Sequence, residues 1–275
     1  MTGNLFQSIV HPTDFSEAGL DAFAHALRLA TTAGGVLHIL HTERELGSED
    51  ESTAWSQFPH AQEMLAQWRL SEPAAAQHLK TSKPGVKVVK AAIESGHPAQ
   101  GIGFYVERHP CDLLVLMTHA RIGLEYWLHE SVAEAVARRV HAPTLFLREG
   151  KRGFVDRKTG AMSLKTILFP MDGALPYKDA GLWIANFERV FAPNALVQPL
   201  HVGSSPPVNA KEFSGAIDVR EGPVAETIVA VAEEIGADII AMPTAGRHGL
   251  LEEFLGSDTE HVLREAPCPV LAIPV

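Results

Sequence analysis

The sequence predicts an α/β fold built twice over, as two doubly wound parallel five-stranded sheets in tandem. Three observations predict it. Short continuous apolar runs, such as Ile239-Ile240-Ala241-Met242, read as strands buried on both faces, the pattern of a parallel sheet. These runs alternate with stretches of helical period, which is the βαβ arrangement. Landmarks also recur at one spacing: Asp112 and Asp238, Gly96 and Gly222, Ile102 and Ile228, Ser131 and Ser257, Glu134 and Glu260, and Pro143 and Pro269 all lie 126 residues apart.

Taken in order, Ser8-Ile9-Val10-His11-Pro12 is a first strand, and Thr13 to Glu17 turn into a helix. Asp14 and Glu17 have the spacing of a capping box. The helix from Glu17 to about Thr32 carries Leu20, Phe23, Ala24, Leu27 and Ala30 at helical spacing, and Gly34-Gly35 ends it. Val36 to His41 is a second strand. A polar stretch from Thr42 to Thr53 precedes an extra helix with Met64, Leu65, Trp68 and Leu70, within a segment at about Thr53 to Lys80. In that segment Trp55, Phe58 and Trp68 are expected either to complete a core, the favoured reading, or to cover a pocket. Val86 to Ala91 alternates as a third strand, and Gly96-His97-Pro98 opens a helix with Ile102, Tyr105 and Val106 inward. Asp112 to Met117 is a buried strand. A loop from Thr118 to Glu130, a helix from Ser131 to about Val140 and the strand Thr144 to Leu147 complete the first unit.

After a basic, glycine-bearing linker from Glu149 to Ser163 the pattern starts again. Ile9 to Asp14 match Ile167 to Asp172 at an offset of 158, so the second copy is 32 residues shorter than the first. His41 matches His201, yet the next strand arrives soon after, near Ala216 to Arg220. The second unit therefore lacks the extra helical segment. The predicted domains are 1–150 and 162–275.

Composition bounds the function classes. The chain has 275 residues, is 46% hydrophobic and carries a net charge of −10. Up to Gly150 there are 12 basic and 17 acidic residues, then 11 and 16. Neither unit has the basic footprint of a nucleic-acid or anionic-membrane binder. Two cysteines, Cys111 and Cys268, at non-equivalent positions suggest a reducing compartment rather than a disulfide framework. No basic segment followed by a long apolar one opens the chain and no run would span a bilayer, so a cytoplasmic location is expected.

The strand-end Pro-x-Asp at Pro12 to Asp14 and Pro170 to Asp172, the Gly-x-Pro or Gly-Pro helix starts, the Ser-x-x-Glu units and the Pro-led last strands jointly resemble the universal stress protein family. The stretch from Met242 to Glu260 adds the strongest single resemblance. Gly246 and Gly256 enclose nine residues and Ser257 follows, similar to that family's nucleotide loop, Gly-x2-Gly-x9-Gly-Ser/Thr, with Pro243 in place of its first glycine. The resemblance implies an adenine nucleotide alpha hydrolase-like fold, strand order 3-2-1-4-5, and a crevice between the ends of strands 1 and 4. It implies pairing of the last strands about a pseudo-twofold, Thr144 to Leu147 against Val270 to Ile273. Further pairing of tandem chains into a homodimer is left open.

Carried over residue by residue, the resemblance predicts two different crevices. In the first unit the three glycine positions hold Met117, Ala120 and Glu130, a bulky residue, one ill-suited to positive φ, and a carboxylate where phosphates would lie. That crevice is expected not to bind nucleotide. The second keeps Asp172, Gly246, Gly256 and Ser257 as candidate cofactor-binding residues, with ATP as the candidate cofactor. Pro243 removes a donor there, and Glu252 and Glu253 make the loop acidic. Ser257 with Glu260, like Ser131 with Glu134, also reads as a plain capping box, and Asp14 as a helix cap. Among fourteen histidines, His38 and His41 fall on opposite strand faces and His11 and His41 on adjacent strand ends, without the regularity of a metal site. No catalytic motif is present. The expectation is a non-catalytic stress-response binding or regulatory protein; the alternatives are an ATP-binding protein or slow ATPase using the second crevice, or a metal-responsive regulator.

Overall fold

The computed structural model describes residues 6–43, 55, 58, 61–69, 86–118, 132–171, 177–205, 216–244 and 256–275. Its strands are β1 (Ser8–Pro12), β2 (Val36–Glu43), β3 (Lys87–Glu94), β4 (Leu113–Thr118), β5 (Thr144–Arg148), β6 (Thr166–Pro170), β7 (Leu196–Val202), β8 (Asp218–Arg220), β9 (Ile239–Thr244) and β10 (Val270–Pro274). Its helices are α1 (Gly19–Ala33), α2 (Ala61–Gln67), α3 (Pro98–Arg108), α4 (Val132–Val140), α5 (Tyr177–Phe191), α6 (Val224–Glu234) and α7 (Gly256–Glu265).

All strands join one 10-stranded sheet, ordered β3-β2-β1-β4-β5-β10-β9-β6-β7-β8. Each half therefore has the order 3-2-1-4-5. Within each half the pairing is parallel; β5 and β10 meet antiparallel, with Val270 opposite Phe146, Leu271 opposite Leu145 and Ala272 opposite Thr144. The pairing covers two edges of fully buried apolar strands, which would otherwise template association. The edges that remain are short in β8 and interrupted by exposed Lys87 and Lys90 in β3.

The helices cover both faces, and each face carries one apolar cluster that runs through both halves. One is built from Ile9, Leu27, Phe23, Phe169 and Phe187, the other from Val10, Leu114, Val136, Leu168 and Val262. Alternate residues of β1 and β6 supply the two clusters, as the two-residue period of a strand dictates. Helix α1 is buried nearly all round, from Ala22 through Leu27. It stops at Gly34, whose φ of 66° is the left-handed cap that a Cβ would strain. Two bonds of the repeat are visible at the strand starts. Asp112 Oδ2 accepts from Ser8 N–H at 2.9 Å, and Asp238 Oδ2 accepts from Thr166 N–H at 3.0 Å and Lys165 N–H at 2.8 Å. These matched aspartates therefore tie the start of strand 4 to the start of strand 1 in each half.

The described residues of the first half's extra segment pack into the core. Phe58, Met64, Leu65 and Trp68 are buried in the α1-side cluster. Trp68 Nε1 donates to Arg157 O at 2.9 Å, so the segment also seats the connection between the halves. That connection is itself folded, with an isolated bridge between Val155 and Met162 and a turn in which Asp156 Oδ1 accepts from Thr159 N–H at 2.7 Å.

Two local expectations are corrected. The Asp14–Glu17 capping box does not form. Asp14 Oδ1 instead accepts from Ser16 N–H at 3.0 Å, Ser16 Oγ accepts from Gly19 N–H at 3.1 Å, and Glu17 pairs with Arg157 at 2.7 Å. The second correction concerns Pro243, read as lying in the loop beyond a strand that ends at Met242. It lies within β9, which continues to Thr244, with Pro243 opposite Ile273 of β10.

Candidate functional site

In a doubly wound sheet the ligand crevice opens where neighbouring strands carry their crossovers to opposite faces. Here that point falls twice. β1 and β4 pair only through Ile9 with Leu113 and Val10 with Leu114, and β6 and β9 only through Ile167 with Ile239 and Leu168 with Ile240. The carboxyl ends of each pair are left unpaired with one another.

The first crevice is lined by its own aromatic side chains. His41 Nδ1 donates to Thr13 O at 2.7 Å and fixes the turn after β1. Phe15 stacks on that imidazole with centroids 4.2 Å apart, and Trp55 and Phe58 meet Phe15 edge-on at 4.9 and 5.4 Å. Phe58 reaches on to Phe23 at 5.0 Å, and Lys90 Nζ lies 5.4 Å over the Trp55 ring. Edge-to-face and cation–π packing of this kind adds to the apolar burial. The ends of β1, β2 and β3 are thereby roofed by the segment found only in this half.

His11 lies beneath, fully buried. Its Nδ1 donates to Val115 O at 3.0 Å, which leaves Nε2 as a buried nitrogen with no partner among the described residues. Burial drives its pKa down to about 4, against smaller raising effects of the Val115 carbonyl and Asp14. His11 and His41 thus serve different carbonyls. His38 faces the other side of the sheet, where its Nδ1 lies 2.8 Å from Tyr105 Oη and His109 stacks on Tyr105 at 4.0 Å. Among the described residues, no group of three or more His, Cys, Asp or Glu is placed to hold a metal ion.

The second crevice repeats the backbone device. His201 Nδ1 donates to Met171 O at 3.0 Å, matching His41 and Thr13. No described aromatic ring stacks on His201. Pro243 does not weaken β9. Ile240 N–H donates to Pro269 O and Val275 N–H to Thr244 O, so even-numbered residues of β9 direct their backbone groups to β10 and odd ones toward β6. The N–H that Pro243 lacks would have pointed into the crevice. Met117 has the same phase in β4, since Leu114 N–H and Thr118 O serve β5. Thr244, next along β9, is buried with no hydrogen-bond partner for its Oγ1 among the described residues, whereas the matched Thr118 Oγ1 donates to Leu147 O at 3.1 Å.

Of the candidate binding residues, Gly256 opens α7, one residue earlier than the helix start expected near Ser257, and Ser257 lies in its first turn. Glu260 pairs with Arg264 at 3.7 Å, and the side chain of Ser257, its expected capping partner, lies outside the described residues. Asp172, Gly246 and the Ser257 side chain lie outside the described residues, as do Ala120, Glu130 and Ser131 of the first half. A residue that sequence reasoning passed over is His25, which anchors the connection between halves. Its signal was a polar residue amid Phe23-Ala24-His25-Ala26-Leu27, a run apolar on every side. The cysteines are not nucleophiles: burial pushes the Cys111 and Cys268 thiols up to about 12.

A doubly wound half with a crevice at the strand 1/strand 4 switch, repeated about an antiparallel seam, defines the class. The universal stress protein family model matches residues 5–148 and 206–274, and the chain belongs to that family. A universal stress protein of Methanocaldococcus jannaschii is 31% identical over 157 residues, covering 54% of this chain and 86% of that protein. One from Synechocystis is 28% identical over 151 residues, covering 46% of this chain and 96% of its own length. The crystal structure of a universal stress protein from Archaeoglobus fulgidus matches across the tandem, with a TM-score of 0.62 at 19% identity, covering 99% of this chain and 98% of that one.

Proposed function

We propose that this chain is a non-catalytic binding or regulatory protein of the stress response, whose first crevice takes no nucleotide. The observation that carries this reading is the packing of Phe15, His41, Trp55 and Phe58 over the ends of β1 and β2. Burial pushes the Cys111 and Cys268 thiols up to about 12, so both stay protonated at neutral pH. The reading takes 1–150 and 162–275 as two domains and the cytoplasm as the location. No helix of the described residues is long and apolar enough to cross a membrane.

A second reading, an ATP-binding protein using the second crevice, is favoured by one observation. Thr244 Oγ1 is buried with no hydrogen-bond partner among the described residues, on the strand end that leads to Gly246 and Gly256 and on the face covered by α7. Titrating MgATP into the chain by calorimetry separates the two. The first reading expects no heat up to millimolar ATP. The second expects about one nucleotide per chain, abolished by Gly256→Glu. Binding of two nucleotides per chain, or sustained ATP turnover, would overturn the proposal.

A further inference from the structure

We propose that the segment joining the two halves is an acid-released latch, held shut by the neutral imidazole of His25. This inference is independent of what the crevices bind. His25 sits on α1, 1% exposed. Its Nδ1 lies 2.7 Å from Asp21 O, and since a carbonyl only accepts, Nδ1 carries the proton. Nε2 is then a lone pair. It accepts the backbone N–H groups of both Phe154 and Val155, each at 3.0 Å. Phe154 meets the ring edge-on with centroids 4.6 Å apart. The hairpin backbone lies so close that a Cβ on Gly153 would come within 2.4 Å of the imidazole Cε1.

Protonation would place a third donor, Nε2–H, against two donors. The site has no means of absorbing it. In the turn before α1 and on α1 the nearby charged groups are Glu17, Asp21 and Arg28; on the hairpin they are Arg152, Asp156, Arg157 and Lys158, with Glu149 preceding them, and Trp68, just after α2, adds an uncharged ring. Both carboxylates, Glu17 and Asp21, are engaged by Arg157, at 2.7 Å and 3.9 Å. Burial, opposed more weakly by the Asp21 carbonyl bond, lowers the His25 pKa to about 4.

The hairpin also grips the second half. Arg152 donates to Ala237 O at 2.7 Å and Gly236 O at 3.2 Å and faces Asp238 at 3.5 Å. Its release therefore frees a clasp between halves while the β5–β10 seam persists. The matched position in α5 is Trp183, packed edge-on against Phe6 at 5.2 Å. An apolar ring cannot titrate, so the device exists on one side only.

Hydrogen exchange on the full chain between pH 7 and pH 4 tests this. Corrected for intrinsic rates, protection of the Phe154 and Val155 amides falls on the order of 100-fold. The amides of Leu114 and Ile240 stay protected across that change, and the His25 Cε1–H resonance shifts as the pH falls to about 4. His25→Gln supplies an Oε1 acceptor and an Nε2–H donor and does not titrate, so its hairpin protection is independent of pH. Unchanged hairpin protection while His25 protonates, loss of hairpin and Leu114/Ile240 protection together, or an equal fall in His25→Gln would each overturn the proposal. Should the variant fail to fold, the wild-type readouts decide.

Discussion

At the carboxyl end of β1, His41 holds Thr13 O and the rings of Phe15, Trp55 and Phe58 close over the turn. At the matching end of β6, His201 makes the same bond to Met171 O with no described aromatic ring on it. The shared bond is backbone architecture; the roof comes from the one segment that the halves do not share. An insertion between strands 2 and 3 thus lays aromatic rings over the ends of β1 and β2 without altering the sheet beneath. The interior follows suit. His11 and His25 are buried imidazoles in the first half, while the second has Phe169 and Trp183 at those positions.

The sharpest way to break this comparison is to remove the roof. Phe58→Ala should destabilise the protein by about 3–5 kcal/mol, the usual cost of emptying a buried phenylalanine site. Urea unfolding measures it. A loss below about 1 kcal/mol would mean that the segment only lies on the surface.

Acid should distinguish the halves next. His11 and His25 titrate at about 4 when folded against 6.5 as free side chains. Between those values the unfolded chain binds more protons, so stability present above pH 6.5 is lost as pH falls toward 4. The limit is on the order of 3 kcal/mol for each histidine. His11→Leu should remove its part of that pH dependence, seen as a flatter dependence of urea midpoint on pH. An unchanged slope would contradict the burial of a neutral His11.

Smaller effects come from the shared bond. His201→Ala should cost about 1 kcal/mol, one hydrogen bond, and His41→Ala about 1 kcal/mol more, because the stack on Phe15 is lost as well. Equal costs, measured by thermal unfolding of both variants, would mean that the aromatic roof does not rest on His41.

Much of this fold was legible in the sequence. Buried parallel strands leave unbroken runs such as Leu113-Leu114-Val115-Leu116, and two runs with the same flanking Asp and Pro reveal a repeat. What was not legible depends on distant partners. Glu17 looked like half of a capping box because the spacing to Asp14 fits, but Arg157, 140 residues away, binds it instead. Pro243 looked like a break because proline lacks an N–H; only the phase of β9 shows that the missing donor faces an unpaired edge. The apolar flanks of His25 marked it as buried, yet only the folded connection explains what it holds. The candidate site was legible as a pattern of glycines, and its Gly256 does open α7. The aromatic cover at the ends of β1 and β2 was not, since it needs Trp55 and Phe58 brought back onto Phe15.

The most direct test of the closed first crevice is photolabelling of the full chain with 8-azido-ATP and magnesium, followed by peptide mapping. The account predicts no label on peptides containing Phe15, His41, Trp55 or Phe58, whether or not the second half is labelled. Specific label on those peptides, displaced by excess ATP, would contradict it.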